Sequence, residues 1–280
     1  MSYPFLKGHG TQNDFVLLPD HDGTVHGDLP SERVAALCER RAGIGADGVI
    51  RVIRSAALGV DGREGGRGGA EWFMDYRNAD GSVSEMCGNG IRLLARHLVD
   101  AGLVGSVPDQ PVEFLIGTRD GEKSLRVAGD RISVDLGRPE LLGETVVRTA
   151  GRDWSARHVS TGNPHAVVFV EDLAGLGRLH DPPGVDAELF PDGANVEFVV
   201  RRGERHVALR VHERGVGETR SCGTGAGAAM VAAASADGAG PGTAYVVDVP
   251  GGRLEVAWTE QGTLVLTGPA LVVAEGVTDL

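Results

Sequence analysis

The chain has 280 residues, room for one large domain or two of ordinary size, with 41% apolar and 24% charged residues, the balance of a soluble globular protein. A net charge of −12 with no basic block to offset it excludes a nucleic-acid binder. No apolar run approaches membrane-spanning length, residues 1–7 lack signal-peptide features, and three cysteines, an odd number, point to the reducing cytoplasm and not to a disulfide framework.

In chain order, residues 8–14 read as a polar loop leading into a strand at 15–18. Ser31 reads as the N-cap of a helix that carries Val34, Leu37 and Cys38 and runs into Gly43. Gly45-Ala46-Asp47-Gly48 then introduces a strand at 49–53. Residues 55–70, rich in Gly and Arg and without periodicity, read as a mobile surface loop. A strand is predicted at 72–76 and a turn at Asn78-Ala79-Asp80-Gly81. The stretch Ser84-Glu85-Met86-Cys87-Gly88-Asn89-Gly90 opens a helix, since Ile91, Leu94, Ala95 and Leu98 recur at i, i+3, i+4 and i+7. Three strands are predicted after Gly102, at 112–116, 124–127 and 132–136.

The second half repeats the first. Gly162-Asn163-Pro164-His165 precedes a strand at 166–170, as Gln12-Asn13-Asp14-Phe15 precedes its own. Gly193-Ala194-Asn195 precedes 196–200, as Gly45-Ala46-Asp47 precedes 49–53. Asn163 follows Asn13 by 150 residues, Asn195 follows Asp47 by 148, and Cys222 follows Cys87 by 135. Leu136-Gly137-Arg138-Pro139 likewise matches Leu266-Thr267-Gly268-Pro269. Glu218-Thr219-Arg220-Ser221-Cys222-Gly223-Thr224-Gly225 opens a helix over 226–236 that is apolar all round and so is expected to be buried. Two copies of domain size are a duplication, not a solenoid. Two similar α/β domains facing each other across a cleft would set one thiol on each side of a small ligand.

A helix start offers free backbone N–H groups and the positive end of a dipole, which bind anions and lower a thiol's pKa. Inverting a carbon centre requires a base on one face and an acid on the other, and two thiols perform both tasks when one is ionised. The weakly acidic α-proton of an amino acid also demands a dry site that stabilises the carbanion. A pyridoxal enzyme is not indicated, because the two lysines, Lys7 and Lys123, sit beside no phosphate cradle.

These residues resemble diaminopimelate epimerase over the whole chain. The marks are His9-Gly10-Thr11-Gln12-Asn13-Asp14-Phe15, Asn78-Ala79-Asp80-Gly81-Ser82, Cys87-Gly88-Asn89-Gly90, Gly162-Asn163-Pro164-His165, Ala194-Asn195, Glu213-Arg214-Gly215, and Glu218-Thr219 through Cys222-Gly223-Thr224-Gly225. The resemblance implies a cofactor-independent cytoplasmic isomerase that interconverts LL- and meso-2,6-diaminopimelate on the route to lysine and peptidoglycan, with Cys87 and Cys222 as acid and base. It implies an α/β (α+β) fold of two pseudo-symmetric domains, residues 1–136 with 269–280 and residues 137–268. Each would be a mostly antiparallel sheet wrapped around a central helix, with the active site in the cleft between them. It also implies a homodimer and no metal.

Carried over by resemblance, Gly88, Asn89, Gly223 and Thr224 hold the reacting carboxylate through backbone N–H groups. Asn13, Asn78, Asn163, Asn195, Glu213 and Arg214 hold the ammonium groups and the distal carboxylate, and His165 tunes a thiol or orients Glu213. Glu213-Arg214 by itself reads equally as a surface pair, but Glu213 stands nine residues before Cys222 as Asn78 stands nine before Cys87. Many relatives carry Gln where this chain has Gly48, so a side-chain contact from that position is lost or replaced. Cys38, in an apolar stripe, reads as a buried small hydrophobe. His9, His21, His26 and His180 read as solvated or structural.

Two other readings compete. Proline or hydroxyproline racemases also use two thiols, but tend to carry His where this chain has Asn89. A redox switch or zinc module is the other, and zinc favours short local ligand spacings such as Cys-x-x-Cys, which this chain lacks.

Overall fold

The computed structural model describes residues 2–59, 69–105, 107, 110–149, 151–179 and 181–280. Most of the expected loop at 55–70, and His180, lie outside the described residues; Ser55–Leu58 forms a single 3-10 turn. The chain divides into two compact units, Met1–Val134 with Gly268–Leu280, and Asp135–Thr267.

The first unit contains β1 (Tyr3–Gly10), β2 (Asn13–Pro19), α1 (Ser31–Cys38), β3 (Gly48–Arg54), β4 (Trp72–Asn78), α2 (Gly88–Asp100), β5 (Val112–Thr118), β6 (Gly121–Ala128) and β7 (Arg131–Gly137), whose last residues pass the boundary. The second contains β8 (Glu140–Thr149), β9 (Arg152–Ser160), β10 (Pro164–Phe169), β11 (Asn195–Gly203), β12 (His206–Glu213), β13 (Gly217–Thr219), α3 (Gly223–Ala236), β14 (Thr243–Val249), β15 (Gly252–Trp258) and β16 (Leu264–Pro269). The chain then returns to the first unit as β17 (Leu271–Thr278), antiparallel to β1.

Strand pairing makes the duplication explicit. In the first unit neighbours run β17, β1, β2, β3, β4, β5, β6, β7, with parallel pairs only at β2/β3 and β4/β5. In the second they run β8, β9, β10, β11, β12, β14, β15, β16, with parallel pairs only at β10/β11 and β12/β14. The long helix enters at the same point of each series, between the antiparallel pair β3/β4 or β11/β12 and the next parallel neighbour. Both sheets are mostly antiparallel, as the family resemblance implies.

Each long helix is buried almost all round, and in α2 only Arg96, Val99 and Asp100 escape full burial. In α3 only Thr224, Ser235 and Ala236 escape full burial, and its small side chains touch strands β9–β12, β14 and β15. In the first unit Gly90 of α2 lets Ile50, Met74 and Phe15 close over the helix start. The opposite face of the sheet is covered by α1, whose Val34, Leu37 and Cys38 pack on Val16, Leu18 and Val49. Covered on both faces, Phe15 to Leu18 are all at 0% exposure, as strands flanking a parallel pair must be apolar on both sides.

Two local expectations are corrected. Residues 8–14 are not a loop: β1 and β2 form a hairpin through Thr11 and Gln12, with φ of 48° and 63°. Such two-residue turns normally announce themselves with Asn-Gly, and Thr-Gln gives no such signal. Ser31 is not the N-cap of α1; Pro30 occupies that place, and the Ser31 hydroxyl donates to Gly81 O at 3.4 Å. The helix also ends at Cys38, short of Gly43. Among the described residues no helix is long and apolar enough to cross a membrane.

Candidate active site

In the first unit the site is built where the β1–β2 turn meets the start of α2. Cys87 is the N-cap of α2, in extended conformation (φ −140°), and makes no side-chain capping bond. Its thiol lies 3.6 Å from Asn13 Oδ1, at the first residue of β2. The same oxygen accepts from Asn89 Nδ2 at 3.2 Å, and Asn13 Nδ2 donates to Asp47 Oδ2 at 2.7 Å. Asp47 is bound in turn by Arg40 at 2.6 Å; burial pushes its carboxyl up, and the Asn13 bond opposes this. Below Asn89 lies Arg92, at 0% exposure. Gly10 is needed here, since a Cβ would stand 2.8 Å from Asn89 O and 3.1 Å from Arg92 Nη2.

Asn78, at the end of β4, is held separately. Tyr76 donates its hydroxyl to Asn78 Oδ1 at 2.9 Å, and Asn78 Nδ2 donates to Ser82 Oγ at 2.9 Å. The Tyr76 ring also explains Gly48. A Cβ at that position would lie 2.6 Å from Tyr76 Cε2 and 2.6 Å from Arg77 O. The aromatic ring therefore takes the space of a longer side chain, and its hydroxyl supplies a polar contact from that side of the sheet.

The second unit repeats the plan with different electrostatics. Cys222 is the N-cap of α3 and is buried; its sulfur accepts from Gly225 N–H at 3.3 Å and lies 3.5 Å from Thr224 Oγ1. Burial, then the charges of Glu213 and Glu197, push the Cys222 thiol well up, while Thr224 and Gly225 oppose this. Glu213 accepts from Thr219 Oγ1. Burial pushes its carboxyl up, with the Thr219 and Cys222 hydrogen bonds acting the other way. Glu197 is at 0% exposure on β11 and pairs with His165 Nδ1 at 2.7 Å; His165 Nε2 lies 2.9 Å from Asn163 Oδ1. Asn195 Oδ1 accepts from Arg214 N–H at 3.0 Å and Asn195 Nδ2 donates to Pro164 O at 3.4 Å. The Arg214 side chain is exposed and meets no carboxylate within ion-pair distance among the described residues.

Of the residues singled out from the sequence, Asn13, Cys87 and Asn89 meet directly, with Gly88 beside them in α2, and Asn78 stands apart with Tyr76 and Ser82. Asn163 and His165 form one contact group, Asn195 and Arg214 another, and Cys222, Gly223 and Thr224 share the start of α3. Glu197, Arg92, Asp47, Thr219 and Tyr76 were missed. A signal existed for two of them: Glu197 and Arg92 are charged residues inside otherwise apolar stretches, a pattern that calls for a buried partner. Among the described residues no group of three His, Cys, Asp or Glu is arranged around a metal position.

A family model described as diaminopimelate epimerase matches residues 5–142 and 157–273. A curated diaminopimelate epimerase of Streptomyces coelicolor is 52% identical, with 98% of this chain and 95% of the relative covered. That of Thermobifida fusca is 48% identical over 97% and 96%. Among solved structures, a phenazine biosynthesis protein of the PhzF family from Bacillus anthracis aligns with a TM-score of 0.71 at 17% identity, covering 100% of both chains. A hydroxyproline epimerase from Agrobacterium vitis, with bound trans-4-hydroxy-L-proline, aligns with a TM-score of 0.70 at 14% identity over 99% and 92%. Likeness at that level of identity concerns the fold alone.

Proposed function

Because the chain belongs to the diaminopimelate epimerase family, we propose that it interconverts LL- and meso-2,6-diaminopimelate without a cofactor, with Cys87 and Cys222 as the two acid/base residues. In each turnover one cysteine, as thiolate, takes the α-proton, and the other, as thiol, delivers its own proton to the opposite face. The substrate leaves inverted and the two sulfurs have exchanged protonation states. The observation that carries this reading is the equivalence of the two cysteines, each the N-cap of the long helix at the same point of a duplicated sheet.

The first-turn N–H groups of both helices lie outside the i→i−4 ladder and offer donors to a carboxylate and to the carbanion. In α3 the Gly225 N–H is taken by Cys222, which leaves Gly223 and Thr224 for the substrate. The two thiols differ in setting. Cys222 sits in a buried place beside two carboxyl groups, which supports it as a proton donor, while the Cys87 sulfur faces the carbonyl oxygen of Asn13. Asn13, Asn78, Asn163, Asn195, Glu213 and Arg214 hold the ammonium groups and the distal carboxylate, and the forked guanidinium of Arg214 suits a carboxylate. We assign residues 1–136 with 269–280 and residues 137–268 as the two epimerase domains of a cytoplasmic homodimer serving lysine and peptidoglycan synthesis.

The test is incubation with LL-diaminopimelate in D2O, followed by NMR. Deuterium should enter the α-position as that centre inverts. Cys87→Ala and Cys222→Ala should each abolish inversion. Retention of about a tenth of wild-type activity by either variant, only one decade in rate, would overturn the two-base assignment.

A further inference from the structure

Arg92 poses a physical problem. It is at 0% exposure on α2, and among the described residues no carboxylate lies within ion-pair distance of it, although an isolated buried charge is costly. Its two Nη groups donate to neutral oxygens instead, Nη1 to Gly88 O at 2.9 Å and Nη2 to Asn89 Oδ1 at 2.8 Å and to Thr11 Oγ1 at 3.3 Å, while Nε is buried without a partner among the described residues. Burial pushes its pKa down to about 10, with attraction to the Cys87 thiolate acting against this, so the guanidinium stays charged at neutral pH.

The contacts beyond Arg92 run in one direction. Asn89 Oδ1 faces the guanidinium, so its Nδ2 faces outward and donates to Asn13 Oδ1 at 3.2 Å. Asn13 Nδ2 donates to Asp47 Oδ2 at 2.7 Å. A guanidinium only donates and an ionised carboxylate only accepts, so the two ends set the sense of both amides between them. The result is that Asn13 turns its carbonyl oxygen toward the Cys87 sulfur, 3.6 Å away. Thr11 belongs to the same unit. A β-branched residue at φ 48° is strained, and its hydroxyl is tied to both Arg92 and Asn89.

We propose that Arg92 is a positioning residue of the Cys87 half-site: through Asn89 it holds the Asn13 amide so that its carbonyl oxygen, not its NH2 group, is offered to the thiol and to the ammonium group of an amino-acid substrate. The proposal deepens the two-thiol reading above and rests on it. An acceptor at that place favours an α-ammonium and disfavours a carboxylate, which helps fix which way round the substrate's reacting end lies.

The experiment compares wild type with Arg92→Met, Arg92→Lys and Asn89→Asp, in kcat, KM and thermal unfolding. Arg92→Met should lower kcat about a hundredfold, the usual cost of small misplacement, with a smaller change in KM. Arg92→Lys keeps a donor for Asn89 Oδ1 and should recover part of that loss. Asn89→Asp supplies the missing counter-charge, so the protein should unfold at the same or a higher temperature, yet it removes the donor to Asn13 and should lose kcat as Arg92→Met does. A purely structural Arg92 would lose stability and kcat together in Arg92→Met, with no selective recovery of kcat in Arg92→Lys. Retention of kcat within about threefold by Asn89→Asp, or by folded Arg92→Met, overturns the proposal, since well under 1 kcal/mol would then be at stake. If Arg92→Met does not fold, Asn89→Asp decides.

A second readout needs no substrate. In 15N-labelled wild type the side-chain amide protons of Asn13 and Asn89 should exchange slowly, and in Arg92→Lys those of Asn89 should exchange faster. Fast exchange of both in wild type overturns the relay. Slow exchange in a wild type that does not turn over diaminopimelate would instead sink the functional reading and leave the relay standing.

Discussion

Oε1 of Glu197 lies 2.7 Å from Nδ1 of His165, with both side chains at 0% exposure on the adjacent parallel strands β10 and β11. The other ring nitrogen of His165 faces Asn163 Oδ1, an acceptor, and therefore carries a proton. Glu197 also reaches beneath α3, because a Cβ on Gly225 would lie 2.6 Å from its Oε1. Glu197→Gln keeps the shape and removes the acid. It should destabilise the fold by about 1.5–3 kcal/mol, the worth of a charge-assisted hydrogen bond. Urea unfolding at neutral pH checks this, and an unchanged midpoint would count against it.

The electrostatics of Cys222 predict its reactivity. Burial and the charges of Glu213 and Glu197 hold its pKa well above the ordinary 9.0, so at neutral pH it should react slowly with iodoacetamide. In a Cys87→Ala background its alkylation rate should rise only above pH 9.0. Glu213→Gln removes the larger of the two charge effects and should shift that rise to lower pH. A wild-type midpoint at or below 9.0 would contradict the account.

The same sign governs stability in alkali. Cys38 is pushed up to about 11, chiefly by burial, and Cys222 is also raised, so both hold their protons more tightly folded than unfolded. Their contribution to stability is complete below pH 9.0 and is lost as pH rises through the folded-state values. Cys38→Ala should flatten the fall in unfolding free energy between pH 9 and 11, measured by denaturant titration.

Gly48 and Tyr76 should behave as a matched pair. Gly48→Ala brings a Cβ within 2.6 Å of both Arg77 O and the Tyr76 ring, and the backbone oxygen cannot swing aside. The expected cost is about 1–3 kcal/mol, as for overpacked cores. Tyr76→Phe should fold normally but release Asn78 Oδ1, raising KM more than it lowers kcat. Gly48→Ala at wild-type stability would refute the packing argument.

The exposed Arg214 provides a test of substrate choice. Arg214→Lys keeps the charge and loses the planar fork, so kcat/KM for LL-diaminopimelate should fall on the order of tenfold to a hundredfold, the worth of one or two charge-assisted hydrogen bonds. L-Lysine, which lacks the distal carboxylate, should be a very poor substrate for wild type, and the DD isomer should be refused. Comparable turnover of L-lysine or L-proline would remove the specificity argument and leave the two-thiol chemistry intact.

What could be read from residue order was local or periodic. The stripe Ile91, Leu94, Ala95 and Leu98 defined α2, the unbroken run of Ala, Gly, Val and Met defined α3, and the recurrence of Asn13, Asp47 and Cys87 as Asn163, Asn195 and Cys222 announced the duplication. These signals need no knowledge of neighbours, because hydrophobic period and motif spacing are properties of the chain itself. The β1–β2 hairpin escaped because its turn uses Thr11 and Gln12 in the left-handed region, a conformation that their side chains do not advertise.

Only tertiary structure decided the rest. Asp47 meets Asn13, Arg92 meets Thr11, Glu197 meets His165, and the Tyr76 ring fills the space above Gly48 through strand register and helix packing, which place residues side by side irrespective of their separation in sequence. The thiol chemistry follows the same division. The sequence by itself determined that two cysteines open two equivalent helices; the surroundings that push Cys222 up and set Arg92 beneath the Cys87 half-site exist only once the chain is packed, because burial and the charges that come with it are properties of the fold.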